Sequence, residues 1–120
     1  MEFSSLEDWK NKLVETSLNE NVSVLVEGKR DVRVLENLGV ENLFPLKGKR
    51  FYDVLEELED KILVILLFDL DKQGEKIFQK FLFIFQREGI PVDVSFREYL
   101  KQFDIEEIEH LDKFFEKEAP

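Results

Sequence analysis

The stretches VLVEGKRD, residues 24–31, and VILLFDLDKQGE, residues 64–75, decide how this 120-residue chain folds. Each is an unbroken apolar run that stops abruptly in carboxylates, Glu27 in the first and Asp69 with Asp71 in the second. Apolar runs rich in Val, Ile and Leu and followed by a helical pattern are how strands buried on both faces of a parallel sheet read. Acidic side chains therefore collect where strands end.

Outward from these runs the chain alternates strand and helix. Ser4 or Ser5 followed by Glu7 and Asp8 marks a helix start, and Leu6, Trp9 and Leu13 recur at helical spacing, which predicts an N-terminal helix over about 4–18. Val22 to Val26 is the first strand. Asp31 to Leu38 is predicted helical, with Asp31 read as its N-cap and Gly39 at its C-terminal end. Leu43 to Leu46 is a second strand, kept short by Pro45. Phe51 to Glu59 carries the helical stripe Phe51, Val54, Leu55 and Leu58. Ile62 to Phe68 is the most hydrophobic strand and so the central one; after the DLDKQG loop, Glu75 to Arg87 is helical. Pro91 to Val94 is a fourth strand, and Phe96 to Phe103 with Asp104 to Lys117 supply a C-terminal helical segment over about 96–118.

The alternation predicts an α/β fold: a doubly wound, Rossmann-like, mainly parallel sheet of four strands with helices on both faces and right-handed crossovers. Residues 1–120 are expected to form one domain, without repeat or linker. The absence of cysteine excludes disulfides, a thiolate zinc site and a cysteine nucleophile. The N-terminal EFSSLEDWK is no secretory signal, and the run Ile62 to Phe68 is too short to cross a bilayer, so a cytoplasmic protein without membrane contact is expected.

A net charge of −10 opposes gripping nucleic acid by a summed positive field. The distribution softens that, because Lys29, Arg30, Arg33, Lys47, Lys49 and Arg50 face only Asp31, Glu36 and Glu41 within residues 29–50. Neither EGKRD nor KGKRF has the glycine spacing of a phosphate-binding Gly-rich loop.

In open parallel sheets ligands bind outside the carboxyl ends of the strands. Glu27 and the Asp69/Asp71 pair share one site if their strands are neighbours. Three carboxylates at close range repel and raise at least one pKa, a conflict that a hard cation resolves; few protein ligands with retained waters suit Mg2+ or Mn2+. Two residues apart in an extended segment, Asp69 and Asp71 can point the same way. Phosphoryl or nucleotidyl transfer is the chemistry such a centre suits, with Glu27 as general acid or base or as a further ligand.

With VLVEGKRD and FDLDKQGE in this order and at this interval, the chain resembles the Toprim domain shared by topoisomerases, bacterial primases, OLD-family and RecR proteins and a nuclease that matures ribosomal RNA. The resemblance covers about residues 21–95 and is nearest to the small stand-alone Toprim proteins. It implies that Glu27 is the catalytic acid or base, that Asp69 and Asp71 hold magnesium, and that Gly28 and Gly74 serve backbone turns. Glu75 matches a further acid of the topoisomerase pattern. Gln73 stands where those topoisomerases place a third acid, which counts against a second metal. There is no room for a topoisomerase cleavage domain, so Tyr52 and Tyr99 are read as packing or surface residues, and no primase zinc module is present.

The expected function is magnesium-dependent phosphodiester chemistry on nucleic acid, nuclease or primase-like; the alternative is a non-catalytic, metal-dependent module that binds nucleic acid or protein. A phospho-receiver is disfavoured, because Glu27 is followed by Gly28 rather than a second acid and no lysine follows Pro91 to Val94. Lys29, Arg30, Lys47, Lys49, Arg50 and Lys72 are candidates to line a phosphate path, against the plainer reading of a solvated surface. His110, the one histidine, lies in a charged segment and is not assigned a role. Phe78, Phe81, Phe83 and Phe85 cannot all face one core from one helix, so an exposed Phe at a homodimer or partner contact competes with an aromatic-rich core.

Overall fold

The computed structural model describes residues 1–115. Helix α1 (Leu6–Ser17) starts where the Ser–Asp pattern predicts: Ser5 Oγ accepts the Asp8 N–H at 3.0 Å and Asp8 Oδ2 accepts the Ser4 N–H at 2.9 Å. It buries Trp9 and Leu13, and the Trp9 indole N–H donates to the Phe96 carbonyl at 2.9 Å. There follow β1 (Val22–Val26), α2 (Lys29–Asn37), β2 (Leu43–Pro45), α3 (Phe51–Leu58), β3 (Leu63–Leu66), α4 (Lys72–Arg87), β4 (Val92–Asp93), α5 (Ser95–Leu100) and a 3-10 helix (Ile108–Phe114).

The sheet has four strands, all parallel, in the order β2-β1-β3-β4. Because side chains alternate along a strand, each inner strand feeds two cores. Val22, Val24 and Val26 of β1 join Ile65 and Leu67 against Trp9, Leu35, Phe96, Leu100 and Leu111 on one face. Leu25, Val64, Leu66 and Phe68 meet Val54, Leu58, Phe78, Phe81 and Phe85 on the other. Burying each such aliphatic or aromatic side chain stabilises by about 1.5–3 kcal/mol. The fold is therefore the doubly wound, Rossmann-like α/β sheet that the alternation predicts.

Chain order places the site. From β1 the chain crosses by α2 to β2 at one edge, returns by α3 past β1 to β3, and continues by α4 to β4 at the other edge. The winding reverses between β1 and β3, and a crevice opens at the carboxyl ends of strands where winding reverses.

Several boundaries differ from expectation. Strand β2 is a three-residue edge strand, which is where Pro45 is tolerated, and β4 has two residues. Helix α2 begins at Lys29 with Gly28 as N-cap, so Asp31 is not the cap but the third helical residue; its Oδ2 accepts the Gly28 N–H at 3.0 Å. Helix α4 begins at Lys72, three residues earlier than predicted, because Asp71 caps it. Among the described residues no α-helix follows Leu100, although Asp104 to Lys117 is expected to be helical. Ile105, Ile108 and Leu111 are all buried at intervals of three, the period of the 3-10 helix found there. Residues 116–118 of that expectation lie outside the described residues.

Phe78, Phe81 and Phe85 are buried while Phe83 is 64% exposed on the opposite side of α4, so one phenylalanine of that helix does face outward. Tyr52 is exposed and Tyr99 packs on Phe3 and Phe103. No helix among the described residues is long and apolar enough to cross a membrane.

Candidate functional site

Adjacency of β1 and β3 brings the two acid clusters to one mouth. Pairing continues past β3, with the Leu67 N–H donating to the Leu25 carbonyl at 2.9 Å, and the Asp69 N–H then donates to Glu27 Oε2 at 2.9 Å. Asp69 Oδ1 accepts the Ile108 N–H at 2.8 Å, and Asp71 Oδ1 accepts the Gly74 N–H at 2.7 Å as the cap of α4. Each of the three carboxylates thus accepts a backbone N–H with one oxygen.

The two glycines assigned to turns behave differently from that assignment. Gly28 is extended, at φ −149° and ψ −175°, and a side chain there would meet nothing within 4 Å. Any residue can adopt that backbone. Gly74 lies inside the first turn of α4, and a Cβ there would stand 2.0 Å from the Asp69 carbonyl oxygen. What Gly74 permits is a close approach of α4 to the Asp69 loop, not a turn.

Arg97 of α5, which sequence reasoning missed, holds that loop from behind. It is fully buried, donating from Nε to the Phe68 carbonyl at 3.1 Å, from Nη2 to the Asp69 carbonyl at 2.7 Å and from Nη1 to Glu75 Oε1 at 2.9 Å. Its guanidinium lies 4.4 Å from the centre of the Phe78 ring. The fork geometry of arginine suits two carbonyls and a carboxylate at once. Glu75 belongs to this clamp rather than to the mouth. Its other oxygen accepts from Gln79 Nε2 at 2.8 Å, and the hydrogen bonds from Gln79 and Arg97 pull its pKa below the usual value. Nothing in the sequence separates Arg97 from the other arginines, since its partners, two main-chain carbonyls and the Glu75 carboxylate, lie far away in the chain.

The mouth is strongly acidic. Partial burial pushes the Asp69 carboxyl up to about 6, opposed by the Ile108 N–H and assisted by the charges of Asp31, Asp71 and Glu107. Glu27 is raised by burial and by the charges of Asp69 and Asp71, against the pull of the Asp69 N–H. Asp31, only 6% exposed, is raised by burial and then by Glu27 and Glu109. The segment from Glu106 to Glu109 closes over this side, with the Glu106 carbonyl accepting the Leu70 N–H at 2.6 Å. Its acidity was visible in the sequence, but not that it would reach the site.

Glu107, Glu109 and His110 bring ligand-type atoms within 4.8 Å of one another, and among the described residues they form the one trio that does. Glu27, Asp69 and Asp71 are held more openly, around a mouth rather than around a point.

Two clefts share Glu27. One, of about 420 Å³, is lined by Glu27, Gly28, Lys29, Arg30, Asp31, Asp69 and Glu109. The other, of about 310 Å³, lies on the α3/α4 side and includes Lys49. Of the six basic candidates, Lys29, Arg30 and Lys49 therefore reach the site, Arg30 also pairing with Glu109 at 3.6 Å. Lys47, Arg50 and Lys72 are exposed and line neither cleft.

No family model matches the chain. It is 40% identical over 81 residues to a UPF0292 protein of Methanocaldococcus jannaschii, a match covering 65% of this chain and 63% of that one. A UPF0292 protein of Methanosarcina barkeri is 29% identical over 96 residues, covering 77% and 66%. The chain thus spans just under two thirds of the length of the curated relatives it matches. A solved protein from Aquifex aeolicus is 41% identical, with a TM-score of 0.82, and the match covers 88% of this chain and 97% of that one. This chain belongs to the same family as the Aquifex aeolicus protein.

Proposed function

We propose that this chain carries a Toprim-type centre for Mg2+- or Mn2+-dependent phosphodiester chemistry on nucleic acid, as a nuclease or a nucleotidyltransferase. The observation that carries the reading is the meeting of Glu27 with Asp69 and Asp71 at the winding reversal, linked by the 2.9 Å hydrogen bond from the Asp69 N–H to Glu27. The donor set fits the ion: oxygen only, with like charges that lift the Asp69 carboxyl to about 6 and that a hard divalent cation would offset. Asp69 and Asp71 would hold it with the oxygens that the backbone leaves open. A bound ion of this kind supplies charge neutralisation at the phosphate and at the leaving oxygen.

Glu27 then has the protonic role. Burial and neighbouring carboxylates raise its pKa, which favours giving or taking a proton at the attacking or leaving oxygen. Arg97 acts through the loop, as a positioning residue that fixes where the Asp69 main chain sits. Lys29 and Arg30, in the first turn of α2, line the same cleft and would meet phosphate oxygens there.

The test is incubation with end-labelled single- and double-stranded DNA, RNA and nucleoside triphosphates in Mg2+ or Mn2+. Expected is turnover that falls at least about 100-fold in both Glu27→Gln and Asp71→Asn. Turnover equal in wild type and both variants sinks the catalytic reading. The hydrogen bond from Asp69 to Glu27 favours a second reading, in which Glu27 is only a latch and the centre binds a metal and a nucleic-acid end without turnover. Metal binding lost in Asp71→Asn, with no turnover in wild type, selects it.

A further inference from the structure

The cleft on the α3/α4 side of Glu27 is unlike the acidic mouth beside it. Its wall is apolar, formed by Leu46, Phe51, Ile77 and Phe81, with Gly48 at its edge and two ammonium groups, Lys49 and Lys80, at its rim. Among the described residues Lys80 has no carboxylate partner; its Nζ lies 3.8 Å from the centre of the Phe51 ring. Lys49 is joined to Glu57 at 3.5 Å in a half-exposed pair, a weak link that a stronger anion displaces. Helix α3 starts at this cleft, and its N-cap, Arg50, offers no side-chain acceptor to the first turn. In a chain of net charge −10, Lys49 and Lys80 set two ammonium groups beside an apolar slot whose one lining carboxylate is Glu27.

We infer that this cleft binds a nucleoside monophosphate unit, with the base against Leu46, Phe51 and Ile77 and the phosphate between Lys49 and Lys80. The ligand must be apolar and flat at one end and anionic at the other. A volume of about 310 Å³ sits at the small end of ligand sites and fits a single nucleotide. The choice of a nucleotide over another aromatic phosphate rests on the phosphodiester reading of the adjoining Glu27 centre. The unit is either a free nucleotide or the terminal residue of a strand whose next linkage lies at Glu27.

The experiment needs no metal and no turnover, so it stands or falls apart from the catalytic reading. Amide shifts of the whole chain are followed in EDTA during titration with adenosine 5′-monophosphate, adenosine, inorganic phosphate and a 5′-phosphorylated hexanucleotide. Expected are shifts at Gly48, Phe51, Ile77 and Lys80, with the monophosphate at least about tenfold tighter than either adenosine or phosphate alone. Lys49→Ala and Lys80→Ala, both at exposed positions, should each weaken it by roughly three- to tenfold. A hexanucleotide that binds more tightly than the monophosphate assigns the cleft to a strand end, and equal binding assigns it to a free nucleotide. Phosphate or adenosine binding as tightly as the monophosphate overturns the inference. So does a monophosphate affinity that neither lysine variant changes, or shifts confined to residues outside the cleft.

Discussion

At the end of β1 the chain leaves Glu27 through an extended Gly28 whose Cβ position faces open space, whereas at the end of β3 the segment from Asp69 to Gly74 is clamped from several directions. The Asp69 N–H is held by Glu27, its carbonyl by Arg97, its carboxylate by the Ile108 N–H, the Leu70 N–H by Glu106, and Asp71 by the cap of α4. Both ends carry acid at the same crevice and both are hydrogen-bonded, the β1 end by the Lys47 N–H to the Glu27 carbonyl and the Gly28 N–H to Asp31, but only the β3 end is also held by the buried Arg97. On the proposed reading Asp69 and Asp71 must keep their geometry while like charges push them apart, and hydrogen bonds from Glu27, Arg97, Glu106, Ile108 and Gly74 would supply that restraint.

Glycine substitution tests the contrast where the expected effect is largest. Gly74→Ala places a methyl group on the Asp69 carbonyl and should cost about 4 kcal/mol in urea unfolding, along with metal affinity. Gly28→Ala should cost about 1 kcal/mol or less, the difference between the two as N-caps. Equal losses at both positions would remove the contrast. Arg97→Met comes next, at about 3 kcal/mol, since it keeps bulk but leaves the Phe68 and Asp69 carbonyls without their buried donor. Arg97→Lys should recover little of that, because a single ammonium cannot reproduce the fork; full recovery by lysine would mean that charge alone, not the clamp, matters.

The smallest effect is a matter of pH. The folded-state pKa of Asp69 is raised from 3.8 to about 6, so between those values the folded protein binds more protons than the unfolded chain. Stability then falls as pH rises through this window, the sign opposite to that of a salt-bridged carboxylate. Burial and neighbouring carboxylates raise Glu27 in the same direction. In the metal-free protein, Asp69→Asn should flatten the decline in melting temperature between about pH 4 and 6. A decline of unchanged slope in the variant would assign the pH dependence to other acids.

The group of Glu107, Glu109 and His110 borders the same mouth, whereas the exposed Phe83 lies away from it on α4. Glu109 pairs with Arg30 at 3.6 Å, and the Arg87 guanidinium lies 5.8 Å from the centre of the Phe83 ring.

The alternation of apolar runs with amphipathic stretches was enough to predict an α/β sheet of four strands, because burial on two faces leaves a local, periodic signature in each strand. It also placed acid at the ends of β1 and β3. Tertiary structure decided that these strands are neighbours, since the order β2-β1-β3-β4 follows from which crossovers pack on which face. It decided as well that α2 starts at Lys29 and α4 at Lys72, where capping groups and not periodicity set the boundary. Arg97, Gly74 and the Glu106–Glu109 segment matter only through atoms brought from elsewhere in the fold: a carbonyl 28 residues away in the chain, a helix turn pressed on a loop, a main-chain acceptor closing over Leu70. Such contacts have no period in the sequence, because each is made once and only after the sheet has formed.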